Sequence, residues 1–106
     1  MAKAPDRLRE PQARILALRI ASGRPRREAA TSYIKEHVPD YVTFTPLDLR
    51  PSTIRKGERM WQQIVGNVVS HKNTSVSIFN KGYAERTRNG IRVTDKGVTY
   101  LASLGF

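Results

Sequence analysis

Residues 82–101, GYAERTRNGIRVTDKGVTYL, decide the fold. Within them, Asn89-Gly90 is the strongest short-range signal for a two-residue hairpin turn, because both residue types tolerate a positive φ. Ile91 and Val93 follow in alternation with a charged residue, which is the period-two pattern of a half-buried strand. This part of the chain therefore predicts a β-hairpin whose tip lies at the Asn-Gly dipeptide.

A helix is predicted to begin directly after the hairpin. Thr94 can act as its N-cap, and Asp95 would lie in the first turn, near the positive end of the helix dipole. The helix should extend to about Leu104 and bury Val98, Leu101 and Leu104. A basic hairpin joined to a helix in this way is the wing of a winged helix-turn-helix domain. The expected fold class is α+β, with a three-helix core, a C-terminal β-hairpin wing and a closing helix.

The elements before the hairpin follow from apolar periodicity and from helix-breaking residues. Apolar residues at helical spacing and an early proline predict helices over 11–22 and 26–38. Residues 41–44 are expected to form a short first strand, and a short helix should begin at Thr45, which can cap it. That helix would be the first of the helix-turn-helix, with residues 50–57 as the turn.

The next helix, over 58–72, is the expected recognition helix, which such domains place in the major groove. Its apolar stripe should pack on the first helix and the sheet; the stripe consists of Trp61, Ile64, Val65, Val68 and Val69. The opposite face is polar and carries Arg59, Gln62, Gln63, Gly66, Asn67 and Ser70. Glutamine and asparagine can bind adenine through two hydrogen bonds in the major groove. The alternative for this face is an ordinary solvated helix surface.

The charge of the chain favours a nucleic-acid partner. The formal net charge is +10 and the isoelectric point is about 10.7, in the range of nucleic-acid-binding domains. Residues 50–92 hold nine lysines and arginines against two acids, whereas residues 28–49 hold one against four. The basic segment therefore contains both the recognition helix and the hairpin. The residues expected to contact nucleic acid are Lys56, Arg59, Gln62, Gln63, Asn67, Ser70, Lys72, Arg86, Arg88 and Arg92.

Within this set, the cations have an expected role that differs from that of the amides. Lys72 is expected at the end of the recognition helix, where it would suit phosphate contact. Arg86, Arg88 and Arg92 are expected to cluster about the hairpin tip and to contact phosphates or a minor groove. A basic surface that only keeps the protein in solution is the alternative.

Several classes of protein are not expected. The chain has no cysteine, so it has no disulfide framework or thiolate metal site, and His37 and His71 are not at metal-ligand spacing. No apolar run approaches the roughly 18 residues of a membrane-spanning helix. Groups for nucleophilic catalysis and a Gly-rich phosphate loop are also missing. We therefore expect no enzyme, no cofactor, no metal and no membrane partner, and a cytoplasmic, nucleoid-associated location.

The second half of the sequence resembles a known family. The order TPLDL, a Trp-containing helix, GYAE and NGIRVTDKGVTYL looks like the winged-helix domains of bacteria. It is similar to the N-terminal domain of Mrr-type, modification-dependent restriction endonucleases. The resemblance covers about residues 41–104 and depends on Trp61, on Gly82-Tyr83-Ala84-Glu85, on Gly90, and on Thr94, Gly97 and Leu101. It implies recognition of target DNA, but the closing Thr-x-x-Gly-x-x-x-Leu motif also occurs in regulators, and nothing in this chain resembles the nuclease domain.

The sequence therefore predicts a single winged-helix domain over residues 10–106 after a loose basic arm over 1–9. This domain would bind double-stranded DNA mainly through phosphates, with some groove readout. It would act as a regulator, or as the target-recognition part of a restriction or phage system within a larger protein that carries a separate effector domain. Formation of a homodimer is a further alternative. The alternative functions are RNA binding through the same basic face and a winged helix that contacts proteins.

Overall fold

The computed structural model describes residues 8–70 and 74–106. Over these residues the chain is an α+β fold of four α-helices and one three-stranded antiparallel sheet. The helices are α1 (Glu10–Ser22), α2 (Thr31–His37), α3 (Met60–Val69) and α4 (Asp95–Ser103), and the strands are β1 (Glu28–Ala30), β2 (Ala84–Arg86) and β3 (Gly90–Val93). Single 3-10 turns precede β1 and follow α2, at Pro25–Arg27 and Val38–Asp40.

The strand β1 replaces the start of the predicted helix 26–38, which is wrong before Thr31. Arg26 and Arg27 have positive φ values of 58° and 57°, a conformation that cannot continue a right-handed helix. The chain then pairs with β3, so that β3 is the central strand between β1 and β2. Gly90 makes this approach feasible, because a Cβ atom there would overlap the Ala29 carbonyl oxygen and lie 2.7 Å from Ala30 Cα.

The predicted strand over 41–44 and the helix beginning at Thr45 are both wrong. Residues 42–45 have no regular structure, and residues 46–49 form an isolated turn. The Asp48 carboxylate holds this turn, because it accepts hydrogen bonds from Thr45 N (3.0 Å) and from Leu8 N (2.6 Å). Pro51 follows almost at once and stops helix growth. Leu8 is buried, so the end of the predicted N-terminal arm belongs to the core, whereas residues 1–7 of that arm lie outside the described residues.

The β2–β3 hairpin and the helix after it are confirmed. Thr94 caps α4: its Oγ1 accepts from Gly97 N (3.0 Å) and donates to Gly82 O (2.6 Å). The turn differs from the prediction, because neither Asn89 nor Gly90 has a positive φ. The connection is instead three residues long and is closed by hydrogen bonds between Thr87 and the first residue of β3.

The core lies between α1, α3 and the inner face of the sheet, and the predicted packing of the α3 stripe on the first helix is confirmed. Trp61, Val65, Val68 and Val69 are buried there, and Ile64 is half-buried. The Trp61 ring also stacks on Phe44, with 4.6 Å between ring centroids.

In α4 the prediction is only partly confirmed. Leu101 is buried, but Val98 and Leu104 are exposed. Tyr100 instead stacks on Tyr83, with ring centroids 4.2 Å apart, and Lys96 lies 5.9 Å from the Tyr83 ring centroid. These contacts attach α4 to the residues just before β2.

Candidate nucleic-acid interface

The polar face of α3 is covered. None of the residues in the described helix Met60–Val69 is fully exposed. Gln63 retains only 8% exposure, and its Oε1 accepts a hydrogen bond of 2.6 Å from Ser52 Oγ. The Arg55 guanidinium lies over Gly66 and donates a long hydrogen bond of 3.4 Å to Asn67 Oδ1. Gln63 is thus buried and Asn67 half-buried, and the side-chain oxygen of each accepts a hydrogen bond within the protein.

The other polar side chains predicted for this helix also have partners. Gln62 Oε1 accepts from the backbone N–H of Arg59 (2.7 Å), which closes the N-terminus of α3. Ser70 Oγ donates to Asn67 O (3.1 Å) at the C-terminus of the helix. Lys72, with its neighbours His71 and Asn73, lies outside the described residues.

The segment that covers α3 is residues 50–59, here named the basic loop. Its two ends are joined by hydrogen bonds from Met60 N to Arg50 O (2.8 Å) and from Ser52 N to Glu58 O (2.7 Å). Gly57 has a φ of +84°, which suits glycine and turns the chain back toward α3. The basic loop is thus a closed, hydrogen-bonded structure, although the sequence predicted it only as a turn.

Glu58 attaches the basic loop to α2. Its Oε2 accepts a hydrogen bond of 2.7 Å from Lys35 Nζ, and its Oε1 lies 3.9 Å from Arg55 Nη1. Both Lys35 and Glu58 are largely shielded from solvent, so this ion pair is screened less than a surface pair. Arg55 is therefore committed to the protein itself, to α3 on one side and to Glu58 on the other.

Three other cations of the basic loop stay available to a ligand. Arg50, Lys56 and Arg59 are exposed, and none forms an ion pair with any residue that the structure describes. Arg59 Nη1 makes one hydrogen bond of 2.9 Å, to Leu49 O, which leaves the rest of its guanidinium open. The sequence predicted roles for Lys56 and Arg59 but missed Arg50, whose position beside Pro51 suggested only the end of a helix.

The hairpin arginines divide into two kinds. Arg86 and Arg88 are exposed and have no ion-pair partner among the described residues. Arg92 lies in the middle of the sheet, not at the hairpin tip as predicted. Its guanidinium lies 2.6 Å from Glu85 Oε2 and 3.5 Å from Glu28 Oε1, and the hydrogen bond and charge of Glu85, followed by the charge of Glu28, raise its pKa. Its charge is thus offset by two carboxylates on the neighbouring strands.

A further arginine, which the sequence treated only as part of a turn, lies beside the hairpin tip. Arg24 stacks on the Tyr33 ring, 4.1 Å from its centroid, and it lines a shallow groove together with Arg88 and Asn89. Asn89 O also accepts a hydrogen bond of 2.9 Å from Thr31 N at the start of α2. We name Arg24, Arg86 and Arg88 the hairpin cluster.

Helix α2 connects the hairpin cluster with the basic loop. Thr31 at its start bonds to Asn89 of the hairpin, and Lys35, one turn later, bonds to Glu58 of the basic loop. One helical turn advances only about 5.4 Å along the helix axis. Two sets of cations that have no ion-pair partner in the described part of the chain are therefore anchored to the same short helix.

Other kinds of site are less well supported. Among the described residues no group of three or more His, Cys, Asp and Glu side chains is placed to hold a metal ion, and none of the described helices is both long and apolar enough to cross a bilayer. His37 has a partly buried ring that packs on Tyr33 and an Nδ1 that lies 2.9 Å from Asp40 Oδ2, which fits the predicted position at the edge of the core. No family model, curated protein or solved structure matches the chain.

Proposed function

We propose that this chain is a winged-helix module that binds double-stranded DNA mainly through phosphate groups. The element order α1-β1-α2-α3-β2-β3-α4 supports the winged-helix assignment, because the β2–β3 hairpin takes the place of the wing and α2 and α3 that of the helix-turn-helix. The connection between α2 and α3 is longer than in a minimal helix-turn-helix and includes the basic loop. In this scheme the first helix of the motif is α2 and not the predicted segment after Thr45.

The observation that carries the proposal is the contrast between paired and unpaired cations. Arg27, Lys35 and Arg92 have carboxylate partners, whereas the hairpin cluster and the exposed cations of the basic loop have none among the described residues. Phosphate groups are the natural partners of exposed guanidinium and ammonium groups, and binding them releases counterions from DNA. The net charge of +10 favours the approach of a polyanion over long distances.

Phosphate contact should dominate over base readout. Because Gln63 is buried and the side chain of Asn67 is half-buried against Arg55, neither amide is openly presented to a base, so little sequence preference is expected. A preference for cytosine-methylated DNA would also need groove contacts. The module would therefore anchor a regulator or a larger DNA-modifying assembly on duplex DNA without choosing the site by itself.

The experiment compares two arginines of the same hairpin. Fluorescence anisotropy of a labelled duplex is recorded at several salt concentrations with the wild type, Arg88→Ala and Arg92→Ala; both variants lose one positive charge. Arg88→Ala should weaken binding and reduce the steepness of the log–log salt dependence by about 0.9 per lost phosphate contact. Arg92→Ala should keep the wild-type slope, because this arginine is occupied by Glu85 and Glu28.

Controls separate the remaining alternatives. An RNA duplex of the same sequence serves as competitor, and a cytosine-methylated duplex tests for readout of a modification. Equal effects of the two arginine variants would show that only net charge matters and would remove the hairpin cluster from the interface. If the wild type fails to bind duplex DNA at low salt, the proposal is wrong.

A further inference from the structure

The tip of the basic loop holds a large aliphatic side chain in solvent. Ile54 is 77% exposed, more than any other large hydrophobic residue that the structure describes. A single exposed isoleucine on a loosely held loop would have little meaning, because isolated apolar residues are common on protein surfaces. The exposure of Ile54 therefore indicates a function only if the loop that carries it is firmly held.

That support is a network of hydrogen bonds around Ser52. Its Oγ accepts from Ile54 N (3.2 Å) and Arg55 N (2.9 Å) and donates to the buried Gln63 Oε1 (2.6 Å). Arg55 adds the contact with Gly66 on α3. The backbone of Ile54 is thus joined through two neighbouring residues to α3, and its side chain is presented to solvent by a well-anchored turn.

Exposed cations lie in the same loop as this aliphatic side chain. Lys56 lies two residues after Ile54, and Arg50 and Arg59 lie at the two ends of the basic loop. Proteins that bend DNA combine the same two features: an apolar wedge enters between base pairs from the minor groove, while cations bind the flanking phosphates. We propose, resting on the DNA-binding function above, that Ile54 is such a wedge and that the preferred ligand is duplex DNA that kinks or unstacks easily.

An anionic membrane could also attract an aliphatic residue among cations, but the small apolar area of one side chain favours DNA. A whole myristoyl chain gives only marginal membrane binding, so one isoleucine buries too little apolar surface to anchor a protein. One side chain is sufficient to unstack a base step. The DNA steps that open most readily are TA and CA/TG steps, and a mismatched pair opens more readily still.

The test uses a duplex with 2-aminopurine beside a central TA step, because this base becomes more fluorescent when it is unstacked. Wild type, Ile54→Leu and Ile54→Ala are compared at saturating protein. The wild type and Ile54→Leu should raise the fluorescence, and Ile54→Ala should not. The wild type should also prefer a duplex with one mismatch by about tenfold, which corresponds to relief of roughly 1.4 kcal/mol of the unstacking cost. Ile54→Ala should lose this preference while keeping the wild-type salt slope.

The outcomes separate this inference from the proposed function. If Ile54→Ala and the wild type give the same fluorescence and the same mismatch preference, or if the wild type unstacks nothing, the wedge is overturned while phosphate binding stands. If the wild type does not bind duplex DNA, both are overturned. Ile54-dependent binding to phosphatidylserine vesicles without unstacking of DNA would assign the basic loop to a membrane and overturn the wedge. Circular dichroism shows whether each variant is folded.

Discussion

Helix α3 and the basic loop are neighbours in the chain and both carry many polar residues, yet they meet solvent in opposite ways. On α3, Gln63 is buried and bonded to Ser52, and Asn67 contacts Arg55. On the loop, Lys56 and Arg59 are exposed and lack ion pairs among the described residues. The comparison shows that a polar helix face does not imply access to solvent when a nearby loop can satisfy its hydrogen bonds.

The physical reason is the cost of burying a polar group. An amide placed in the interior without a hydrogen-bond partner destabilises the fold, whereas an amide with a good partner is nearly neutral. Ser52 provides that partner for Gln63, and the small Gly66 leaves space for the Arg55 guanidinium. The polar face of α3 is therefore the surface on which the basic loop packs. The loop and the hairpin, in contrast, hold exposed cations that can meet a ligand.

The largest effect that this comparison predicts is the loss of stability caused by replacing Trp61. Trp61→Ala removes a buried ring that stacks on Phe44 in the core beneath α3, and it should lower the free energy of unfolding by about 3–5 kcal/mol. Urea unfolding followed by circular dichroism measures the change. Ile54→Ala is the matched control from the basic loop and should change stability by less than about 0.5 kcal/mol. Similar losses in both variants would contradict the division between a structural helix and an exposed loop.

The next effect concerns Gln63, whose role differs between the sequence-based prediction and the structure. Gln63→Ala should lower the free energy of unfolding by about 1–3 kcal/mol, because it leaves the Ser52 hydroxyl without its acceptor. The folded variant and the wild type should show the same small dependence of DNA affinity on the DNA sequence. The double variant Ser52→Ala/Gln63→Ala should be less destabilised than the sum of the single variants. A change in base preference without a loss of stability would return Gln63 to the role of a base-reading residue.

Local signals in the sequence predicted the elements whose stability is local. The Thr94 cap depends on a residue three positions later, and the apolar stripe from Trp61 to Val69 depends on helical spacing alone, so both are confirmed. The hairpin was also found, but its turn was misassigned. Gly90 is required by the close approach of β1, which pairs from a distant part of the chain, and not by a positive φ at the turn.

The errors at β1, Arg92 and the polar face of α3 share one cause, which is contact between residues that are not neighbours in sequence. Residues 28–30 favour a helix when only their neighbours are considered, and they form a strand because β3 offers them an edge. The pairing of Arg92 with Glu28 and Glu85 follows from that same sheet. The covering of α3 depends on a side-chain network in the basic loop that no periodicity indicates. Single-sequence reasoning therefore could not tell that Arg92 was already paired, nor that Arg59 lies in the loop before α3 and not on the helix.

The smallest predicted effect concerns two glycines, Gly66 on α3 and Gly57 in the basic loop. Gly66→Ala gains the better helix propensity of alanine, up to about 1 kcal/mol, provided that the Arg55 guanidinium can move from its position 3.0 Å from the new Cβ. The guanidinium is the far end of a flexible side chain, so we expect a net gain in the free energy of unfolding. Gly57→Ala meets no atom within 4 Å but must keep a φ of +84°, and it should lose about 1 kcal/mol. Thermal unfolding of both variants should thus give shifts of opposite sign. A loss in Gly66→Ala as large as in Gly57→Ala would mean that Arg55 cannot yield, so the basic loop would be attached to α3 more firmly than its long 3.4 Å bond to Asn67 suggests.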